Sequence, residues 1–551
     1  MPTPTRSPPY GRSGCAPPGS VDPIMPVAAQ VLHHAHAQPD RPALYGPHSA
    51  LDYAGLARRV RDGARRLAAL GAKPGTLVAI SLPDPVEQLV AVLAADLAGA
   101  TPLLCDHGWT PDRREQIMRA VPVGLHLAEP LSMPTEASMA AVGGGGVARR
   151  EQVAPAVPAD PRLGEPSSSA CGQPMVAVGP RENADVAHVP SDGFAPRPDD
   201  RAWANFSSGS TGRPRAVIRT RASWTDSFPH LNKLAEIGPG DVMLVPGPLV
   251  SSLYGFAAVH ALSTGAAALV PGRWSPEALP RHLRLATAVH LVPHHLPVVL
   301  EALAEVPEPS RTLRTAIVGG AGLPADVRAA AERHGVRVVA YYGATELSFV
   351  AVDADGSGLR PFPDVEIEVR TPPRGGLGEV WVRSPWVSAG YVAGARGPLR
   401  VDAHGWMTVG DLAEPYRPGE SLRVRGRGDG AIQTGGATVV PEDVEAVLKQ
   451  APGVSDVVVI GSPHPRLGAV VTAVIEIGNA TDTGDTGDTG DAAAPSRAAL
   501  EAIARGGLDP AQRPRRWYAL PALPRTPTGK PARGLIASRL ADGDPELRRL
   551  V

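Results

Sequence analysis

The chain reads as an α/β protein, with a large layered N-terminal α/β domain followed by a small α+β domain at the C-terminus. Three observations predict this. Short apolar runs alternate with helix-period segments from about residue 51 onward, the pattern of strands paired largely in parallel beneath helices. The same alternation returns over 202–423 after an interruption. Beyond it lies a smaller set, with strands at 457–461 and 470–477 and a helix at 441–450. A length of 551 residues also exceeds what one compact core usually holds.

Taken in order, residues 1–22 are rich in Pro, Ser and Gly, lack the apolar core of a signal peptide, and read as a disordered leader. Leu56, Val60, Ala64 and Leu67 then recur at helical spacing among Arg58, Arg59, Arg61, Arg65 and Arg66, and Gly71 closes that helix. A buried strand is expected at 77–82, a helix at 86–98 and a second strand at 101–105. Residues 131–198 carry the run Gly143, Gly144, Gly145, Gly146 and little periodicity, and read as a long mobile surface insertion. The large domain spans 23–427 and the small one 428–551. Within the latter, 480–494 includes a repeated Thr-Gly-Asp and reads as a low-complexity loop.

Composition excludes several classes. Lys plus Arg total 54 and Asp plus Glu total 55, a net charge of −1, so no global field favours nucleic acid or an anionic membrane surface. The most apolar stretch, 89–104, is interrupted by Asp96, and no membrane span is expected. Cys15, Cys105 and Cys171 match no zinc, redox or disulfide pattern and read as free thiols of a reducing, cytoplasmic compartment. His290, His294 and His295 cluster, but no further ligand pattern accompanies them. They are expected to be surface histidines on a helix or strand.

The most informative stretch is Ser207-Ser208-Gly209-Ser210-Thr211-Gly212-Arg213-Pro214-Arg215. Its glycines let backbone N–H groups approach an anion, its hydroxyls add donors, and its arginines add charge. That combination suits a polyphosphate, although a Ser/Gly turn alone is equally compatible with flexible loop. No Gly-Lys-Ser/Thr follows at the spacing a Walker A loop requires.

This stretch resembles the phosphate loop of the adenylate-forming superfamily, which comprises acyl- and aryl-CoA synthetases, adenylation domains and luciferases. Further motifs follow in the family's order. Ile317-Val318-Gly319-Gly320-Ala321-Gly322 is similar to its adenine-side strand and turn, and Tyr341-Tyr342-Gly343-Ala344-Thr345-Glu346 to its Tyr-Gly-x-Thr-Glu motif. Gly378-Glu379-Val380-Trp381-Val382 and Gly390-Tyr391 match the next block. Gly410-Asp411 resembles the ribose-binding motif, Gly426-Arg427-Gly428-Asp429 the hinge, and Gly435-Gly436 the turn after it. Pro527-Thr528-Gly529-Lys530 resembles the C-terminal lysine motif.

The resemblance implies an acyl-CoA ligase that joins a carboxylic acid to AMP and passes the acyl group to coenzyme A, using ATP and Mg²⁺. Residues 207–212 (Ser207, Ser208, Gly209, Ser210, Thr211, Gly212) would hold the β- and γ-phosphates, and Thr345 the α-phosphate. Glu346 would be the metal ligand, a hard carboxylate oxygen for a hard cation. Gly320, Ala321, Tyr342, Gly343 and Ala344 would line the nucleotide, Asp411 would accept from the ribose hydroxyls, and Arg427 would assist beside them. Lys530 would bridge the attacking carboxylate and the α-phosphate. The small domain would be mobile, turning about Asp429 and bringing Gly435 and Gly436 to border the coenzyme A tunnel. Ser251, Ser252 and Tyr254 would line the acyl pocket. The absence of an acidic residue over 248–256 implies a neutral, fairly apolar acid, and small residues leave room for a bulky one.

Arg215 replaces the usual Lys of the phosphate loop, Val409 the usual Thr before Gly410, Gly430 the second hinge Asp, and Gln433 a common Lys. These departures keep alive a variant that mainly thioesterifies a supplied acyl-adenylate. Two further alternatives are an adenylation enzyme loading a separate carrier protein, since no fused carrier is expected, and a non-catalytic nucleotide-binding relative.

Overall fold

The computed structural model describes residues 25–131, 196–206, 215–372, 376–395, 397–427, 430–434, 437–465, 467–477, 495–526 and 529–550. The leader, nearly all of the 131–198 insertion, the phosphate loop 207–212, Asp429, Gly435, Gly436 and the 480–494 loop lie outside these residues.

Two sheets form the large domain's frame. One has six strands in the order Gly390–Tyr391, Ala216–Thr220, Arg201–Phe206, Thr101–Leu104, Leu77–Ile80, Leu125–Leu127. Its inner strands are parallel, and its last two pairings, toward Gly390–Tyr391, are antiparallel. The second has nine strands, with a parallel centre running from Pro42–Tyr45 through Ala267–Leu269, Val242–Leu244, Ala288–Leu291 and Thr315–Gly319 to Arg337–Ala344. Antiparallel strands close both of its edges. A parallel sheet must be covered on both faces, so its strands are continuously apolar. Thr315–Gly319, with every residue buried, shows this directly.

Helices Tyr53–Ala69, Pro85–Leu97 and Ser252–Thr264 supply the cover and share one core with both sheets. Each of the first two begins where the sequence supplies a cap. The Asp52 carboxylate accepts from the Gly55 N–H at 2.6 Å, and Asp84 from the Val86 N–H at 2.8 Å, with Pro85 opening the second helix. Asp96, which interrupts the apolar stretch in sequence, is fully buried and pairs with the equally buried Arg221 at 2.7 Å. The Ala28 N–H satisfies its other oxygen at 3.1 Å. A buried ion pair of this kind persists only with such extra hydrogen bonds.

A third, antiparallel sheet of six strands includes Gly378–Arg383, Asp411–Ala413 and Val424–Arg427. The C-terminal domain is a six-stranded sheet in which Asp456–His464 and Gly468–Glu476 pair over nine residues, longer than the sequence pattern suggests, with helix Pro441–Leu448 on its apolar face. No described helix is long and apolar enough to cross a membrane.

Candidate active site

The motif residues gather where strands of the two large sheets end. Arg337–Ala344 runs parallel to Thr315–Gly319, so Tyr341 lies opposite Gly319, and the turns at Gly320 and Thr345–Glu346 follow the same end of the two strands. Gly320 adopts φ +89°, a left-handed conformation that favours glycine, and it and Ala321 are exposed at the mouth of this edge. Phe206, the residue before the phosphate loop, forms a parallel bridge with Ser251. Ser252, opening the next helix, shares a hydrogen bond with the Thr345 hydroxyl at 2.9 Å.

Glu346 is 3% exposed. The Tyr391 hydroxyl donates to its Oε1 at 2.9 Å, and its backbone carbonyl accepts from the Ser388 N–H at 2.8 Å. Burial, followed by the Glu346 charge, raises the Tyr391 phenol well above its usual range, so it stays a donor. Asp411 is buried as well and accepts from the Tyr342 hydroxyl at 2.6 Å. Its Cα pairs across the ladder with Arg427, which sets the two side by side.

Lys530 reaches this edge from the other domain. Its ammonium donates to the Gly320 carbonyl. Its hairpin is closed by the Thr526 N–H donating to the Lys530 carbonyl at 2.7 Å and by an Arg525–Pro531 bridge. Arg525 anchors the hairpin to Asp456 at 2.9 Å and Glu476 at 3.0 Å, and Lys449 binds the other Asp456 oxygen at 2.8 Å. Burial tends to raise the Asp456 carboxyl, but Lys449 and Arg525 outweigh it and hold it below the usual carboxylate value. Gly529 has φ +80°, and a Cβ there would come within 2.7 Å of His294 Nε2, so the hairpin seats closely on the large domain.

The histidine cluster corrects the sequence expectation. His294 is exposed, but His290 and His295 are buried. His295 stacks on Trp274 with centroids 3.7 Å apart and planes 3° from parallel. His290 bonds the Tyr341 hydroxyl at 2.9 Å. Burial pushes His290 and His295 each down to about 3, so both are neutral. Among the described residues no group of three His, Cys, Asp or Glu is placed to hold a metal ion. Tyr254, expected to line the acyl pocket, is fully buried, with its hydroxyl 3.4 Å from His295 Nδ1. Leu253 and Val292 instead lie next to Gly320 and the Lys530 ammonium. Cys105 is buried, and burial pushes its thiol up to about 12, so it is unreactive.

Of the residues sequence reasoning singled out, Tyr342 bonds Asp411, Thr345 bonds Ser252 and Lys530 bonds Gly320, while Glu346 is held by Tyr391. Sequence reasoning gave no role to Tyr391 and missed Arg219, a fully buried cation beneath the Thr345–Glu346 turn.

Comparison with known proteins identifies the family. Residues 31–392 match the AMP-binding enzyme family, and residues 443–530 match the AMP-binding enzyme C-terminal domain. The acyl–CoA ligase YhfT of Bacillus subtilis, described as uncharacterized, is 31% identical over 360 residues, covering 63% of this chain and 70% of that protein. Among solved structures, Bacillus subtilis o-succinylbenzoate CoA synthetase with its acyl-adenylate has TM-score 0.69 at 21% identity, over 92% of this chain and 97% of that one. That synthetase has also been solved with ATP and a magnesium ion. The amide bond synthetase McbA of Marinactinospora thermotolerans has TM-score 0.68 at 25% identity, over 94% and 99% of the two chains. The chain belongs to the AMP-binding enzyme family and so to the adenylate-forming superfamily. Its enzyme class is that of the AMP-forming acid–thiol ligases.

Proposed function

We propose that this protein is an acyl-CoA ligase that converts a neutral, fairly apolar and bulky carboxylic acid to its acyl-adenylate and then to its coenzyme A thioester, in the cytoplasm. The observation that carries this reading is the Lys530 ammonium on the Gly320 carbonyl, with the apolar side chains of Leu253 and Val292 against the same glycine. A carboxylate there has a cation beside it and an apolar wall behind it.

In the first step a carboxylate oxygen attacks the α-phosphorus, a new O–P bond forms, and pyrophosphate leaves. Two anions meet, so preorganised positive charge and donors lower the barrier. Lys530 neutralises the approaching carboxylate, Thr345 donates to the α-phosphate, and residues 207–212 hold the departing phosphates. Asp411, oriented by Tyr342, accepts from the ribose hydroxyls, with Arg427 beside it. Magnesium fits at Glu346, because Tyr391 engages Oε1 and leaves the lone pairs of Oε2 for a hard cation. Bound there, the ion would offset phosphate charge. In the second step the coenzyme A thiolate attacks the acyl carbonyl and AMP leaves. The small domain turns about Asp429 for this step, with Gly435 and Gly436 at the tunnel. Ser251 and Ser252 border the acyl end.

The departures in the adenylate motifs leave room for a chain that mainly thioesterifies a supplied adenylate. Two contacts favour full activity. The Thr408 hydroxyl accepts from the Gly410 N–H at 3.0 Å, serving the turn where Val409 lacks a hydroxyl. Arg215 lies close enough to Tyr391 for its charge to oppose, weakly, the burial that raises the phenol, so that charge is present at the site.

A mass-spectrometric screen of carboxylic acids with ATP and Mg²⁺ tests the reading, with coenzyme A, a phosphopantetheinylated carrier protein and a simple amine as parallel acceptors. Acyl-AMP together with acyl-CoA is the expected result. Loading of the carrier alone, or of the amine alone, would replace the acceptor. Thioester formed only from synthetic acyl-adenylates would replace the first step.

A further inference from the structure

Strand Ala216–Thr220 follows the phosphate loop and is apolar except at Arg219 and its terminal Thr220. The Arg219 side chain is wholly enclosed, at 1% exposure. Its guanidinium makes no contact ion pair among the described residues. It donates instead to three backbone carbonyls, those of Thr345 at 3.2 Å, Ser223 at 2.9 Å and Trp386. Its Nε has no hydrogen-bond partner among the described residues. A buried cation without a touching carboxylate is costly, and such an arrangement persists where a nearby anion compensates it. Glu346 is that anion: it lies one residue beyond the carbonyl Arg219 holds, and its charge partly offsets the burial that pulls the guanidinium down.

We propose that Arg219 is a positioning residue for the Glu346 metal ligand, fixing the Thr345–Glu346 turn and lending it positive charge without occupying either carboxylate oxygen. The inference rests on the adenylating reading above. A guanidinium bonded directly to Glu346 would fill the lone pairs that a cation needs. Held on the Thr345 carbonyl, it braces the turn from behind and occupies neither carboxylate oxygen. Its bond to the Trp386 carbonyl also steadies the segment that leads to Tyr391. Two adjacent N–H groups tie that segment back at its middle, Ser388 to the Glu346 carbonyl at 2.8 Å and Ala389 to the Ile218 carbonyl at 2.9 Å. One buried cation therefore holds both partners of the Tyr391–Glu346 contact and ties them to the strand that leaves the phosphate loop.

The test uses the full chain and needs no knowledge of the acid. Mn²⁺ binding in the presence of α,β-methylene-ATP is followed by electron paramagnetic resonance, and AMP binding in EDTA by calorimetry. Arg219→Met is expected to weaken Mn²⁺ binding by about 10- to 100-fold, as for other groups that orient a metal ligand. AMP affinity should fall several-fold less than Mn²⁺ affinity, because of the groups assigned to AMP only the α-phosphate donor Thr345 sits on the turn that Arg219 holds, while the ribose is bound at Asp411. Arg219→Lys keeps the charge but cannot hold three carbonyls at once, and should fall between the two. If Arg219→Met does not fold, Arg219→Lys and Tyr391→Phe provide the same readout, with Mn²⁺ binding expected to weaken more than AMP binding. Wild-type Mn²⁺ affinity in the folded variants, or equal losses for Mn²⁺ and AMP, would overturn the proposal. A wild-type chain that bound neither AMP nor the Mn²⁺–nucleotide pair would instead sink the adenylating reading on which it rests.

Discussion

The Thr345–Glu346 turn and the Lys530 hairpin bring opposite charges to one edge of the large domain, by opposite means. Glu346 is 3% exposed and held by groups from two sheets, whereas Lys530 is half-buried and arrives from another domain on a hairpin fixed by its own ion pairs. The embedded group shares its contacts with the core, so changing it touches stability and chemistry together. The delivered group touches the large domain at a few points, among them Gly320 and His294. Chemistry and stability should therefore separate at Lys530 and stay coupled around Glu346.

Lys530→Ala tests the contrast at its strongest. Removing a charge aimed at the developing phosphorane should slow adenylation by about 10³-fold. Acyl transfer from synthetic acyl-adenylate should survive, because the thiol attack does not use Lys530, and the melting temperature should barely move. Pyrophosphate exchange and thermal melting measure the two. Normal exchange in the mutant would remove Lys530 from the reaction, and a large drop in melting temperature would erase the distinction between embedded and delivered groups.

Acid should strike the embedded side first. Burial lowers His260 to about 4 and His290 to about 3, and both lie fully enclosed in the large domain. The folded chain keeps them neutral, while the unfolded chain protonates them below about pH 6.5. Their contribution to stability is complete above that pH and is lost as pH falls toward their folded values. At pH 5 the loss is about 2 kcal/mol for each. Denaturant melts at pH 7 and pH 5 should show it, and His290→Gln should reduce the difference. An unchanged midpoint would mean that these imidazoles are not held neutral.

Arg525→Ala probes how the delivered side is held. It removes the pairs to Asp456 and Glu476 and lets the hairpin wander from Gly320. Adenylation should fall by about tenfold, because misplacing a reacting group by even a small distance is costly. Stability should change by less than about 1 kcal/mol, because these pairs are partly exposed. Equal losses in adenylation and transfer would show that Arg525 supports the whole small domain rather than the lysine.

The two sides also differ in how far they could be read from sequence. Thr345, Glu346, Asp411 and Lys530 sit in short local motifs, and local motifs are legible because their neighbours along the chain are part of the signal. The layered fold was legible for the same reason, from strand and helix periods and from caps such as Asp84. Arg219 was not, because the two partners that tie it to the site lie 126 and 167 residues away and nothing local marks them. Its one signal was a charge inside an apolar strand. Asp96 carried the same signal and was read only as an interruption, though it answers Arg221 from 125 residues away. His295 misled for a related reason, since a His-His pair looks solvated until Trp274 closes over it.

Val409→Thr asks whether the departures from the family's motifs weaken the embedded side at all. Val409 is 2% exposed, and the hydroxyl that the family carries there has a substitute one residue earlier, where Thr408 accepts from the Gly410 N–H. Gly410 keeps the left-handed turn, at φ +85°, that places Asp411 at the start of its strand. A restored hydroxyl at 409 would enter an apolar site with the turn already satisfied, and an unpartnered buried hydroxyl gains nothing. Pyrophosphate exchange by Val409→Thr should therefore lie within about twofold of wild type, an effect of at most about 0.4 kcal/mol. A tenfold gain would mean that the Thr408 contact does not replace the missing hydroxyl, and that the native chain is a poor adenylating enzyme working mainly on supplied acyl-adenylate.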